Sequence, residues 1–211
     1  MIEQVIEAYA LKDQRRTGWE LRGVVRPESV ADHSWGSAYL VLVFAGQANV
    51  DRAHAVEIAL VHDLAEALTG DVATRVVGLN DPRLRDEKRE REHEAMIRLT
   101  SGYDAHAAGM VRTLWAEYEA SETPESLFVR DMNMIDMCLQ AYVYERDARY
   151  DATGPNEHFR EYDGLDEFFA TTRPRLRTDF GRTKFDEILG MYEQLPRVRE
   201  RAEATRGATP Q

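Results

Sequence analysis

From Ile58 to Leu68 the chain reads Ile-Ala-Leu-Val-His-Asp-Leu-Ala-Glu-Ala-Leu, and its only polar residues are His62, Asp63 and Glu66. A segment this apolar belongs in an interior. Three ionisable groups carried into that interior are costly unless they are paired or bind a cation. On a helix, with His62 at zero, Glu66 falls at about 40° and Asp63 at about 100°, so the three share one stripe. Two readings are open. A neighbouring helix satisfies these groups as ordinary core polars, or a divalent ion neutralises the acids and takes the imidazole lone pair.

The rest of the chain has the period of helices, with no strand alternation, internal repeat, Gly-rich phosphate loop or Rossmann pattern. The expected class is all-α, a single-domain helical bundle over residues 1–200 with a polar tail at 201–211. Ile2 to Lys12 is a short amphipathic segment, and Thr17 to Pro27 is irregular. Ser29-Val30-Ala31-Asp32 has the form of a capping box that opens a helix to about Asn49. Its stretch Ala38 to Ala45 is apolar all round and is expected to be central. Asp51 caps a helix to about Leu68, stopped at Thr69-Gly70-Asp71. Further helices are expected at Leu84–Thr100, mostly solvent-facing, and at Asp104–Ala120, Pro124–Arg146, Asp166–Leu176 and Thr183–Glu200, with a loop from Asp147 to Glu161.

Charge narrows the partners. Basic residues number 27 and acidic residues 38, a net charge of −11. Such a surface repels nucleic-acid backbones, whereas a small anionic substrate stays compatible with it, because a bound metal reverses the local field. The longest apolar run, Ala38–Ala45, is far short of the roughly 20 residues a membrane span needs. The N-terminus lacks the pattern of a signal peptide, and the single cysteine, Cys138, fits a reducing cytoplasm.

A second polar stripe lies on the Pro124–Arg146 segment, where Arg130, Asn133, Asp136 and Gln140 share one face and Asp131 points elsewhere. A solvent-facing stripe explains it equally well. His33 sits in the first turn of its helix, where the dipole favours the neutral, metal-binding imidazole. Gly36 follows one turn later and lets another helix approach. His54, His93, His106 and His158 read as surface residues. No HExxH or CxxC spacing appears, so the common zinc templates are absent.

These residues form a pattern: one histidine, an adjacent His-Asp about thirty residues on, and a polar residue on a later helix. With Arg16-Thr17-Gly18-Trp19, Arg26 to His33, Ala59 to Glu66 and Gly70-Asp71, the chain resembles the HD-domain metal-dependent phosphohydrolases, and among them the 5′-deoxynucleotidase branch. The resemblance implies an all-α bundle, usually a homodimer, and one divalent transition-metal ion. That ion is commonly Co²⁺ or Mn²⁺, with Fe²⁺, Mg²⁺ and Zn²⁺ as alternatives. It implies His33, His62 and Asp63 as metal ligands, Glu66 and Asp71 in the chemistry, and Arg16 and Asp71 on the phosphate and attacking water. Trp19 would lie near the sugar. On spacing alone, Trp19 is equally a core aromatic, and the pair Arg15-Arg16 leaves the arginine register open by one.

One departure stands out. The family's fourth ligand is an aspartate in a run such as Phe-Val-Lys-x-x-Asp, whereas this chain has Phe128-Val129-Arg130-Asp131-Met132-Asn133. Asn133 offers an uncharged oxygen, and Asp136, one turn on, is a candidate substitute. The implied activity is release of phosphate from (deoxy)nucleoside monophosphates. The alternatives are a phosphohydrolase for a modified nucleotide or a triphosphate, and a catalytically silent nucleotide-binding module.

Overall fold

The architecture is organised around one long helix, α8 (Pro124–Arg146), whose start is written locally. Thr123 and Ser126 form a reciprocal capping box, and Pro124 occupies the first turn, where its missing N–H costs nothing. Buried residues lie on several sides of α8, including Phe128, Met132, Ile135, Cys138, Ala141 and Tyr144, so it needs neighbours on several sides. Those neighbours are α3 (Val30–Ala48), α4 (Arg52–Val61), α7 (Ala105–Ala120), α9 (Asp166–Thr172) and α10 (Asp179–Glu193). The short helices α1 (Ile2–Ala8), α2 (Thr17–Glu20) and α5 (Glu66–Thr69), and the charged α6 (Pro82–Leu99), complete the bundle. The structure, a computed structural model, describes residues 1–73, 82–151 and 161–198, without the side chains of 82–85. Among these residues there is no strand, only an isolated bridge between Arg15 and Ser29. No described helix is long and apolar enough to cross a membrane.

The expected caps are observed. Ser29 and Asp32 make the two bonds of a capping box at α3, and Asp51 accepts from the backbone N–H groups of Ala53 and His54 at α4. Gly70, at φ 84°, ends α5. Several expectations are corrected: Thr17–Glu20, expected to be irregular, is the short helix α2, and the Asp166 helix ends at Thr172 rather than Leu176. The apolar run on α3 is only half interior: Val41 and Ala45 are buried, but Tyr39, Leu42 and Val43 are exposed, as is Trp35. α3 touches the core along one stripe, so all-round apolarity did not mean all-round burial. The Asp51 helix stops at Val61, because residues 62–65 tighten into a turn. The last helix starts at Asp179 rather than Thr183, and ends at Glu193 before Pro196. Glu200, the tail at 201–211 and most of the expected loop after Asp147 lie outside the described residues.

The early start of α10 has a physical cause in Asp131, the residue of α8 that faces away from the polar stripe. Its fully buried carboxylate accepts from the N–H of Arg177 (2.9 Å), the N–H of Thr178 (2.8 Å) and the Thr178 hydroxyl (2.6 Å). Thr178 in turn caps Gly181, where a Cβ would fall 2.2 Å from Asp131 Oδ2. The carboxylate thus latches α10 to α8. Asp131→Ala leaves these buried donors unpaired and should lower stability by about 3 kcal/mol. That corresponds to a thermal midpoint lower by roughly 6–12 °C. A midpoint within about 2 °C of wild type would contradict the latch.

Candidate functional site

The turn that ends α4 sets the site. Leu64, Glu66, Ala67 and Leu68 each donate to the carbonyl three residues back, the bonding of a 3₁₀ turn. In that geometry residues three apart eclipse, so Asp63 and Glu66 line up more closely than an α-helical stripe would allow. The segment that follows the turn is tied from outside. The side-chain amide of Gln14, turned to satisfy both partners, donates to the Glu66 carbonyl (2.9 Å) and accepts from the Asp71 N–H (2.7 Å).

His62 closes α4 and donates its Nδ1–H to the Ala59 carbonyl at 2.7 Å, since a carbonyl can only accept. Its Nε2 is turned 3.2 Å from Asp63 Oδ2. His33, fully buried near the N-terminus of α3, points its own Nε2 to the same oxygen at 3.6 Å. Neither Nε2 has a hydrogen-bond partner. The ligand atoms of His33, His62 and Asp63 all lie within 4.8 Å of one another. Two inward-facing nitrogens without hydrogen-bond partners beside a carboxylate are a donor set that suits a divalent cation.

The electrostatics point the same way. Burial, with the Arg16 guanidinium, lowers the His33 pKa to about 3, so its imidazole is neutral. Burial alone would raise Asp63, but the two imidazoles and Arg16 pull it well below the usual carboxylate range. Burial likewise opposes protonation of His62, and the Asp63 carboxylate overcomes it, raising the His62 pKa. The pocket thus draws positive charge towards Asp63.

Arg16, rather than Arg15, enters the site. Its Nη1 lies 3.9 Å from Asp63 and its Nε 3.5 Å from Asp71, whereas Arg15 reaches outwards to the Pro27 carbonyl. Asp71 Oδ2 accepts from the Thr17 N–H at 2.6 Å, so this carboxylate fixes both Arg16 and the start of α2. Glu66 is buried, and its Oε2 has no hydrogen-bond partner. Burial and the neighbouring Asp63 and Asp71 carboxylates push its pKa up to about 10, so it carries a proton at neutral pH.

The remaining predicted residues are distributed around this centre. Asn133 lines the same cleft, and its Nδ2 donates to the Tyr118 hydroxyl at 2.7 Å. Asp136 is not on the Asp63 side of His33: its Oδ2 meets Nδ1, across the ring, at 2.7 Å. Trp19 also borders the cleft, yet it is packed as a core aromatic. It is 1% exposed, stacked on Phe168 at 3.9 Å, and donates to Glu28 at 2.8 Å. His93 and His106 are exposed, and His54 is half-buried against Glu117. His158 lies outside the described residues.

Three groups at the site have no signal of their own in the sequence. Tyr118 comes from α7, and Lys88 reaches in from α6 while paired to Glu92 at 2.8 Å. Glu28 groups with His33 and Asp136. Only Glu28 stood inside a recognisable stretch, and nothing local distinguished it from a surface acid.

The sequence profile of a family described as HD domain matches residues 8–172. The 5′-deoxynucleotidase HDDC2 of Danio rerio is 32% identical over 201 residues, covering 93% of this chain and 86% of that protein. Among solved structures, the PH0347 protein of Pyrococcus horikoshii OT3 superposes with a TM-score of 0.65 at 28% identity, over 92% of this chain and 99% of that one. A cyanophage S-2L HD phosphohydrolase, described as bound to dA and one catalytic Zn²⁺ ion, gives 0.56 at 22% identity over 90% and 94%. At that identity it shares the fold. With more than half its length matched, this chain belongs to the HD-domain family.

Proposed function

We propose that this protein is a metal-dependent 5′-nucleotidase that releases phosphate from deoxynucleoside monophosphates. The observation that carries this reading is the meeting of His33 Nε2 and His62 Nε2 on Asp63 Oδ2, with Arg16 and the buried Glu66 beside it. The activity named for the zebrafish relative supports the substrate class. His33, His62 and Asp63 would hold the ion, with Asn133 as an uncharged fourth donor. Mixed nitrogen and oxygen donors with open positions favour Co²⁺ or Mn²⁺ over a closed tetrahedral zinc site. Bound there, a divalent ion supplies Lewis-acid polarisation of the phosphate and activation of water.

The chain's own groups do the rest. Arg16 grips the phosphate and offsets the charge that grows on it, and Asp71 keeps the guanidinium in place. As water adds to phosphorus, the bond to the sugar oxygen breaks. Glu66 gives its proton to the departing oxygen and recovers one from the water, leaving nucleoside and hydrogen phosphate. Trp19, packed under the cleft, forms the floor on the sugar side. A buried lone cysteine agrees with a reducing cytoplasm.

The silent-binder reading has one feature in its favour, the amide at Asn133 where the family resemblance implies a carboxylate. Phosphate release settles it. After chelation, wild-type protein should be inactive, and Co²⁺ or Mn²⁺ should restore release of one phosphate from a monophosphate. Two or three phosphates released from a triphosphate would move the substrate class. No turnover with any ion, in folded protein, would leave a binding module.

His62→Ala and Asp63→Ala should each abolish metal uptake and activity together. Either variant working at wild-type rate would defeat the ligand assignment. Asn133→Asp should tighten metal binding on the order of tenfold by adding a charged donor, and unchanged affinity would remove residue 133 from the ligand set.

The reading includes a homodimer. α3 leaves Trp35, Tyr39, Leu42 and Val43 exposed, with the Trp35 and Tyr39 rings stacked at 5.5 Å. An exposed apolar stripe of this kind marks an interface. Sedimentation should find wild-type protein dimeric and Tyr39→Glu monomeric. A fully dimeric variant would put the interface elsewhere.

A further inference from the structure

The acid one turn beyond Asn133 faces the metal-binding histidine from behind. Asp136 Oδ2 lies 2.7 Å from His33 Nδ1, while His33 Nε2 is directed at Asp63. An imidazole that binds an ion through Nε2 must carry its proton on Nδ1, and a carboxylate there selects that tautomer and fixes the ring plane. In this arrangement Asp136 faces His33 Nδ1, on the side away from Asp63, rather than standing beside it as the substitute ligand suggested by the sequence would. Nor are Glu28, His33 and Asp136 a ready second cation site. Glu28 Oε1 already accepts from Trp19, and Asp136 is bonded directly to the imidazole.

Gly36 explains how the carboxylate gets there. It lies inside α3, one turn after His33, and its φ is not in the left-handed region. Alanine is the better residue for such a position, so backbone freedom does not account for glycine. Space does. A Cβ on Gly36 would stand 2.1 Å from Asp136 Oδ1, 2.9 Å from its Cγ and 3.2 Å from Oδ2. The carboxylate of α8 occupies the place where any side chain on α3 would begin.

We infer that Gly36 and Asp136 form one coupled positioning device that holds His33 in its metal-binding tautomer and orientation. The inference rests on the reading of His33, His62 and Asp63 as metal ligands. Asp136 is a positioning residue: it acts through His33 and touches neither ion nor substrate.

The test is Co²⁺ titration of the full chain, followed by calorimetry and by the visible absorption of bound cobalt. The proteins are wild type, Asp136→Ala, Asp136→Asn, Gly36→Ala and the Gly36→Ala/Asp136→Ala double variant. Asp136→Ala should weaken Co²⁺ binding roughly 10–100-fold and shift the cobalt bands. Asp136→Asn, whose amide oxygen still accepts from Nδ1–H, should fall between. Gly36→Ala should reproduce the loss alone, yet add little in the Asp136→Ala background, where the methyl group finds the vacated space. This non-additivity is what a merely structural role would not produce.

Unchanged affinity and spectrum in Asp136→Ala, or an equal further loss from Gly36→Ala in both backgrounds, would overturn the inference. Complete loss of cobalt in folded Asp136→Ala, as severe as in Asp63→Ala, would make Asp136 a ligand and also overturn it. If Asp136→Ala does not fold, Gly36→Ala with wild-type affinity serves as the refuting result. Wild-type protein that takes up no cobalt would sink the metal reading itself, whereas uptake undisturbed by these variants would sink the positioning device alone.

Discussion

The candidate site is arranged around a single carboxylate oxygen. Asp63 Oδ2 collects His62 at 3.2 Å, His33 at 3.6 Å and Arg16 at 3.9 Å. Those groups come from the end of α4, the start of α3 and the segment before α2. Burying one ionised acid with two imidazoles and a guanidinium is unfavourable without compensation, so the surrounding chain is built to compensate. Gln14 ties the strand of backbone through Glu66 and Asp71, and Asp71 ties Arg16 to Thr17. If these links loosened, the cluster would relax into separately solvated charges.

The same low-dielectric setting divides the labour among carboxylates a few ångströms apart. Asp63 is held ionised by the cations that face it, while Glu66, without a partner on Oε2, is held protonated up to a pKa of about 10. Two acids whose surroundings push them in opposite directions can serve as charge carrier and proton donor at one pH. The chain as a whole is strongly acidic, at −11, so an anion has to be drawn by a local cation. Arg16, Arg22, Lys88, Arg130 and Arg175 border the cleft beside six acids, so an ion bound at Asp63 is what would tip it towards an anion.

What could be read in the sequence was whatever local chemistry decides. The Ser29–Asp32 box and the Asp51 cap are short-range hydrogen bonds and stand where the residues predicted, while Gly70 does stop a helix, though α5 rather than the one Asp51 begins. The ionisable stripe in an apolar wall was legible for a related reason, since burial cost is a property of composition. The 3₁₀ tightening at residues 62–65 was not, because nothing in those residues themselves distinguishes bonding to the carbonyl three back from bonding to the one four back. The start of α10 was missed because a side chain on α8 supplies its latch. Tyr118 and Lys88 looked like ordinary members of amphipathic and charged helices, and only the packing of α6 and α7 brings them to the cleft. The half-exposed face of α3 shows the converse error. Apolarity reports what can be buried, and the number of available neighbours decides what is.

Asn133 is best understood together with Tyr118. Its amide nitrogen donates to the phenol oxygen at 2.7 Å, a bond no carboxylate could make, because an ionised acid only accepts. The bond directs the amide oxygen away from Tyr118. Burial raises the Tyr118 pKa to about 12, so the phenol keeps its proton. With its oxygen already accepting from Asn133, that proton remains for an acceptor in the cleft. A carboxylate at 133 would take it instead. Compared with a carboxylate at 133, the amide therefore differs in two properties together: it leaves the cleft with one negative charge fewer, and it leaves the Tyr118 proton for whatever the cleft holds.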